Sequence, residues 1–179
     1  VSLPYSYNPN ATFAFNCQSI GTCQLEPVEP TPGPSKDSQG FSVYPERILL
    51  SYREYPPTLT LVKAKFSNLE YLKNDIGGGA IAIDRVNCTI TDCAFDHCYT
   101  SAKSFGGGAV YVYYPGTDAF YTCQIINSVF ESCNVTNFGG AVFAQTVQTD
   151  RHKIIIDACT FKNNLASKLG GAIYVVSRD

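Results

Sequence analysis

The sequence predicts an all-β fold, a parallel β-solenoid of about four rungs, and two repeated features carry this prediction. Gly-Gly-Ala followed by Ile or Val occurs four times at spacings of 29, 32 and 31 residues, beginning at Gly78, Gly107, Gly139 and Gly170. A phenylalanine precedes each glycine pair by 12 or 9 residues, at Phe66, Phe95, Phe130 and Phe161. Units of about 30 residues bury little alone, whereas stacked units share a continuous core. The alternative is a β-sandwich with coincidental Gly-Gly pairs.

The residues before each phenylalanine predict two strands joined by a corner. Large aliphatic residues stand five positions before it, at Leu61, Ile90, Ile125 and Ile156. Small residues stand two positions before it, and the intervening positions are mostly polar, an alternation of period two that is typical of strands. The phase of this alternation shifts once, which predicts a corner near Asp92 and Asn127. Each unit is therefore expected to run strand, corner, strand, loop and glycine-initiated strand, with its aliphatic residues in one internal column.

The chain divides into four predicted segments, of which only residues 58–179 carry the repeats. Residues 1–23 form an arm with a short strand near 12–17. Residues 24–40 hold four of the ten prolines, which favours a linker. Residues 41–57 are predicted to form an irregular cap or a degenerate first rung. The chain stops at Asp179 directly after the fourth glycine strand, so we expect an exposed sheet edge there.

Composition excludes two classes of partner. Thirteen basic and fifteen acidic residues give a net charge of −2, and only 16% of residues are charged, so no basic stripe for a nucleic-acid backbone is predicted. The longest apolar run spans six residues, 109–114, far below the ~20 that cross a bilayer. We expect neither nucleic-acid binding nor a direct membrane span.

Eight cysteines in 179 residues indicate an oxidising, extracellular location. Cys88 and Cys123 occupy equivalent places in adjacent units, and so do Cys98 and Cys133, which predicts two inter-rung disulfides. Cys17 and Cys23 would close a small N-terminal loop. Cys93 and Cys159 lie two rungs apart and are interpreted as buried small residues, and the alternative is that all eight cysteines are reduced thiols. The spacing of residues 88, 93 and 98 does not match a zinc site, so no metal is expected.

Three Asn-x-Ser/Thr sequons are candidate glycosylation sites in a secreted eukaryotic protein, and they begin at Asn10, Asn87 and Asn134.

The combination of Gly-Gly-Ala-Ile with Phe-x-x-Asn resembles the repeat of the polymorphic outer-membrane proteins. The resemblance covers residues 58–179 and implies a right-handed parallel β-helix with a surface or adhesin role. Phe161 and Asn164 keep the full Phe-x-x-Asn motif, whereas Cys98 and Cys133 stand at the asparagine position in two other units.

An enzyme is the alternative function, because parallel β-helices host polysaccharide lyases and glycosidases. Such chemistry requires clustered carboxylates or a bound cation, whereas the acidic residues here are scattered. Asp92 and Asp96 form the best acidic pair, and it is a weak one. We therefore predict a non-enzymatic extracellular structural or adhesive protein with no catalytic residue, metal or cofactor.

A stripe of aromatic residues, Tyr111, Phe143 and Tyr174, is the candidate interaction surface. These residues point outward if Val110 and Val142 point inward. The alternatives are that the phase is reversed, so that the rings fill the core, or that the N-terminal arm covers them. Expected partners are a host or cell-surface molecule, or further copies of the chain. In the second case the N-terminal strand of one copy would pair with the open last rung of the next, which generates filaments.

Overall fold

The computed structural model describes residues 13–16, 35–44, 47–51, 58–72, 76–116, 119–147 and 151–178. All regular structure within these ranges is β-strand, and the strands stack as a parallel β-solenoid of about four turns. The predicted fold class is confirmed.

Each complete rung contributes four strands in chain order. The residues before the first rung form β1 (Phe13–Asn16), β2 (Ser35–Lys36), β3 (Ser42–Tyr44) and β4 (Ile48–Ser51). The first rung comprises β5 (Thr58–Val62), β6 (Ala64–Ser67), β7 (Glu70–Tyr71) and β8 (Ile81–Asp84). The second comprises β9 (Asn87–Thr91), β10 (Ala94–Asp96), β11 (Tyr99–Thr100) and β12 (Val110–Tyr114). The third comprises β13 (Tyr121–Ile126), β14 (Val129–Glu131), β15 (Asn134–Val135) and β16 (Val142–Val147). The fourth comprises β17 (His152–Asp157), β18 (Thr160–Lys162), β19 (Leu165–Ala166) and β20 (Ile173–Arg178).

Equivalent strands of successive rungs pair in parallel and form four sheets, numbered here by their order within a rung. The first sheet runs β1-β5-β9-β13-β17 and the fourth runs β4-β8-β12-β16-β20. Ile90 is in register with Leu61 on one side and with Ile125 on the other, and Ile125 is in register with Ile156. The predicted internal column is therefore confirmed.

Stacked aromatic rings fill the core behind the second sheet. Neighbouring ring centroids lie 5.1, 4.6 and 4.9 Å apart, with interplanar angles of 3–5°, along the column Phe66, Phe95, Phe130 and Phe161. The first three rings are buried, and Phe161 on the last rung is half-buried. One repeated residue type thus continues the core from rung to rung.

Three corners bend each rung. The predicted corner at Asp92 and Asn127 is confirmed, because φ is positive there, at 54° and 48°. The glycines form another corner, with φ between 66° and 78° at Gly78, Gly107, Gly139 and Gly170. A second left-handed corner at Asn68, His97, Ser132 and Asn163 was not predicted. Nor was the third sheet, because strands of two residues have no periodicity to detect.

The side chain of the small residue after the first corner makes hydrogen bonds with backbone groups of its own rung and of the preceding rung. The amide N–H of Cys93 donates to Ser128 Oγ at 3.1 Å, and that hydroxyl donates to the carbonyl of Ile126 at 2.9 Å. One rung earlier, the amide N–H of Ala64 donates to Cys93 Sγ at 3.4 Å. Cys93 and Ser128 fit the bend and also satisfy these backbone groups, whereas Ala64 at the same position of the first rung fits the bend without a polar side-chain atom.

The N-terminal end of the rod is covered by the chain itself. The strands β3 and β4 pair in parallel with β6 and β8, so residues 42–51 supply two strands of a partial rung. The strand β1 pairs antiparallel with β5, with Phe13 opposite Leu61 and Asn16 opposite Thr58. The strand that the head-to-tail hypothesis assigned to a neighbouring copy thus lies on its own rod. Arg47 adds a cap, since its Nη2 donates to the carbonyls of Ile76 and Gly77.

Candidate binding surface

Of the two predicted inter-rung disulfides, one is formed and the other is not. Cys88 and Cys123 form a disulfide between β9 and β13, with their Cα atoms 4.5 Å apart. The bridge lies on the first sheet and ties the second rung to the third. Cys17 and Cys23, the third predicted pair, lie outside the described residues.

The predicted bridge between Cys98 and Cys133 is not formed, because both are buried free thiols. Their sulfurs occupy the position of the motif asparagine and reach back to the preceding rung: Cys98 Sγ lies 3.8 Å from Phe66 O, and Cys133 Sγ lies 3.7 Å from Phe95 O. Asn164 holds the same position one rung later, where it accepts the Cys133 N–H at 2.9 Å and donates to Phe130 O at 3.0 Å. A hydrogen bond between the two thiols, together with burial, raises the pKa of Cys98 well above its usual value.

The sequons lie in different environments. Asn10 is outside the described residues. Asn87 is half-buried in β9, where its Oδ1 accepts the N–H of Thr122 at 2.7 Å. Asn134 is half-buried in β15, and Thr136 of the same sequon is exposed. The Asn87 oxygen therefore takes part in joining two rungs.

The acidic residues considered for catalysis have separate partners. Asp92 accepts a hydrogen bond from Asn127 Nδ2 across adjacent corners. Asp96 lies 2.6 Å from Nδ1 of the exposed His97, a neighbour that sequence reasoning left unassigned. Within the described ranges there is no group of three or more His, Cys, Asp or Glu residues that could hold a metal ion. The same residues include no helix of the length and hydropathy that a bilayer span requires.

The fourth sheet has an apolar outer face. Ile81, Val110 and Val142 lie in the internal core, whereas Ala82, Tyr111 and Phe143 form a second cluster on the opposite face. The aromatic residues thus point away from the core, and the reversed phase is wrong. They are not an exposed stripe either, because Tyr111 and Phe143 are only 4% and 3% exposed. Tyr174, on the last rung, is half-buried.

Loop aromatics that were not singled out from the sequence cover this face. Phe105 packs on Tyr111 with centroids 5.5 Å apart, and Phe138 stacks on Tyr174 at 5.0 Å. Both precede a glycine run directly, and this position of a large apolar side chain was the signal that could have revealed them. Burial raises the pKa of Tyr111 above its usual value, because the charged phenolate would lose its hydration there.

Asn137 holds the covering loop in place. This side chain is 1% exposed, and its Nδ2 donates to the carbonyl oxygens of Lys103 at 2.6 Å and Phe105 at 3.4 Å. The loop before the second glycine run is thereby tied to the rung above it, and Phe105 is positioned over the sheet.

An open groove of about 500 Å³ continues from this cluster toward the last rung. We call it the aromatic groove and define it by six of its lining residues, Phe138, Phe143, Tyr174, Tyr113, Gln145 and Arg178. The first three supply rings. The others supply a phenol, an amide and a guanidinium along one side.

Comparison with known proteins gives one match. Residues 158–176 match the Chlamydia polymorphic membrane protein repeat. The fourth rung carries this repeat. No curated protein and no solved structure matches the chain.

The match lies within one structural unit of the rod, after its first strand. It begins at the corner residue Ala158 and includes Phe161 of the ring column, Asn164 and the glycine pair that precedes β20. The resemblance to the polymorphic membrane protein repeat is therefore confirmed for this rung, over about a tenth of the chain. In the second and third rungs, cysteine replaces the motif asparagine.

Proposed function

We propose that this chain is a non-enzymatic module of a cell-surface protein, a disulfide-containing rod that presents its flanks and loops to partners outside the cell. The observation that carries this proposal is the polymorphic membrane protein repeat of the fourth rung, set in a solenoid whose other rungs share its geometry. The disulfide between Cys88 and Cys123 supports an oxidising location.

The carbohydrate-cleaving alternative has less support. It would need carboxylates that converge on one groove. The two best candidates, Asp92 and Asp96, instead hydrogen-bond to Asn127 and His97. The described residues that line the aromatic groove offer a guanidinium, an amide and hydroxyl groups but no carboxylate, so the groove is better suited to binding than to hydrolysis.

Surface display is tested on intact cells of the source organism. Antibodies raised against the purified chain are expected to label unpermeabilised cells, and brief external protease treatment is expected to remove the label. In protein isolated with thiol trapping, Cys88 and Cys123 should be found in one disulfide-linked peptide pair. Labelling that requires permeabilisation, or recovery of both residues as free thiols, would contradict the proposal.

Self-association is a second candidate function, and the last rung supports it. The strands β17 to β20 each pair with a neighbouring strand on one side only among the described residues. Val175 continues the internal positions of Val112 and Ala144, yet it is 53% exposed because no described rung covers it. We propose that a second copy of the chain covers this end, which would remove both the unpaired edges and the exposed apolar surface.

Sedimentation over a range of concentrations tests this second candidate. The wild-type chain is expected to associate, and Val175→Lys is expected to abolish association by placing a charge in the contact. Val129→Lys is the matched control, because Val129 is 39% exposed on the flank of the rod. A wild-type chain that stays monomeric, or an equal effect of both substitutions, would reject self-association.

A further inference from the structure

We propose that the aromatic groove binds an anionic saccharide, with a sugar ring against the aromatic side chains, hydroxyl groups on Gln145, and a carboxylate near Arg178. This inference rests on the proposed surface location and adds to it the chemical class of the ligand. It is drawn from the rings, the buried amide and the charges of the groove.

The rings of the groove form an apolar wall of fixed geometry. Phe143 is its floor, with its centroid 5.7 Å from that of Tyr174, and Phe138 stacks on Tyr174 at 5.0 Å. Phe143 is 3% exposed, whereas Phe138 and Tyr174 are half-buried and present ring surface to the groove. Sugar rings carry apolar C–H faces that pack on aromatic rings, and rings held by their neighbours lose little freedom on binding.

Gln145 is the second and independent observation. It is 8% exposed and lines the groove, and its side chain makes no hydrogen bond with another residue in the described part of the chain. It stands two residues after Phe143 on the same strand, in register with Tyr113 and Val176. The polar atoms of this amide are not sealed from solvent, so its two donors and one acceptor oxygen remain available in the groove and match the hydroxyl groups of a sugar. A ligand in the groove would replace water at this amide.

The charges around the groove favour an anion. Arg178 lines its open end, and the Nζ of Lys168 lies 5.1 Å above the ring of Phe138. One carboxylate on the same outer face, that of Asp84, is engaged by the adjacent guanidinium of Arg85 at 2.9 Å. A guanidinium binds a carboxylate through two parallel hydrogen bonds, so a sugar acid fits this end better than a neutral sugar.

The test is a titration of the whole chain with three probes. Binding is measured from the line broadening and the shifts of the probe's NMR signals. 3′-Sialyllactose is expected to bind saturably, with a Kd between about 0.1 and 5 mM, and about tenfold more tightly than lactose. Tetraglutamate, which carries carboxylates without a sugar ring, is expected not to compete.

Variants assign the binding to the groove. Gln145→Ala should weaken 3′-sialyllactose binding by about tenfold. Arg178→Gln should bring 3′-sialyllactose down to the affinity of lactose. Phe120→Ala is the control, since Phe120 is a 68% exposed ring that does not line the groove. Gln145→Glu keeps the size of the side chain and should repel the acidic probe. Circular dichroism and mapping of the Cys88–Cys123 bridge verify the fold of each variant.

Three results would overturn the inference: no saturation by about 10 mM, competition by tetraglutamate equal to that of the sugar, or unchanged affinity in Gln145→Ala. Its failure is distinguishable from failure of the proposed function. Intact cells that are labelled by antibody although no saccharide binds would remove only the ligand class. Saccharide binding by a chain that is labelled only after permeabilisation would remove only the surface location.

Discussion

Single glycines set how closely the rungs approach. A Cβ on Gly140 would overlap the carbonyl of Gly171 on the next rung and would lie 2.7 Å from the amide nitrogen of Leu165. At Gly171, the equivalent position of the last rung, the nearest heavy atom would be Asn164 O at 3.6 Å, an ordinary contact. The requirement for glycine therefore comes from the neighbouring rung and not from the turn alone.

This difference predicts unequal costs for one substitution at two equivalent sites. Gly140→Ala is expected to lower the free energy of unfolding by about 2–3 kcal/mol, because backbone atoms of the next rung must shift. Gly171→Ala should change it by less than about 1 kcal/mol. Urea unfolding followed by circular dichroism measures both values. Equal costs would mean that the contact between rungs is not what excludes the side chain.

Cys93 predicts a loss of stability in alkali. Burial raises the pKa of this thiol from its ordinary value of 9.0 to about 11. Above pH 9 the unfolded chain releases the proton while the folded chain retains it, so stability falls as the pH rises toward 11. The expected loss between pH 8 and pH 10.5 is about 2 kcal/mol from this group.

Cys93→Ala isolates the contribution of this thiol, since Ala64 already occupies the equivalent position of the first rung. Urea unfolding at the two pH values should show a drop that is smaller by about 2 kcal/mol in the variant than in the wild type. Parallel pH dependence in the two proteins would show that Cys93 is not the titrating group.

At the level of elements, the phenylalanine column couples neighbouring strands of the second sheet. Phe130 lies between Phe95 and Phe161, at 4.6 and 4.9 Å, and is fully buried. Phe161 has a ring neighbour in the column on one side only among the described residues and is half-buried. Removal of a ring within the column therefore eliminates two ring-stacking contacts, whereas removal of a terminal ring eliminates one.

Truncation of these two rings should reveal that asymmetry. Phe130→Ala is expected to destabilise the protein by about 3–5 kcal/mol, since it leaves a large internal cavity. Phe161→Ala should cost no more than about half as much, because solvent or a side-chain shift fills the space. Thermal and urea unfolding give both values, and a larger loss for Phe161→Ala would contradict the stacking account.

The elements differ in how far the sequence predicted them. The first corner was predictable because Asp92 and Asn127 interrupt an alternation that is regular on both sides. The second corner was not predictable, because the Phe-x-x-Asn spacing gives the place of the asparagine in the repeat but not the backbone conformation of the residues around it. The role of that position became clear only when Asn164, Cys133 and Cys98 were seen to bond to the preceding rung. The repeat alignment likewise gives the places of Cys98 and Cys133 but not the contacts of their side chains. The sequence therefore predicted a disulfide where the two thiols share a hydrogen bond.

At the scale of the whole molecule, repetition made the stacking of rungs predictable, and departures from repetition were not. A column of equivalent residues follows from a constant period, so the core and the Cys88–Cys123 bridge could be aligned from sequence alone. The covering of the fourth sheet depends on Phe105 and Phe138, which sit in loops of different length. The docking of β1 and the cap formed by Arg47 each occur once, at the end of the rod. No repeated pattern in the sequence therefore predicts them.

Consecutive rungs lie in register along one axis, and moving the disulfide by one rung is a sharp test of this register. Ile154 on β17 is in register with Cys123 on β13, and Ile155 is the next residue along β17. In the double variant Cys88→Ser with Ile154→Cys, non-reducing peptide mapping should find Cys123 linked to position 154. In Cys88→Ser with Ile155→Cys, no such link should form. A link to position 155, or none to position 154, would contradict the register on which the core, the groove and the proposed contact at the last rung all depend.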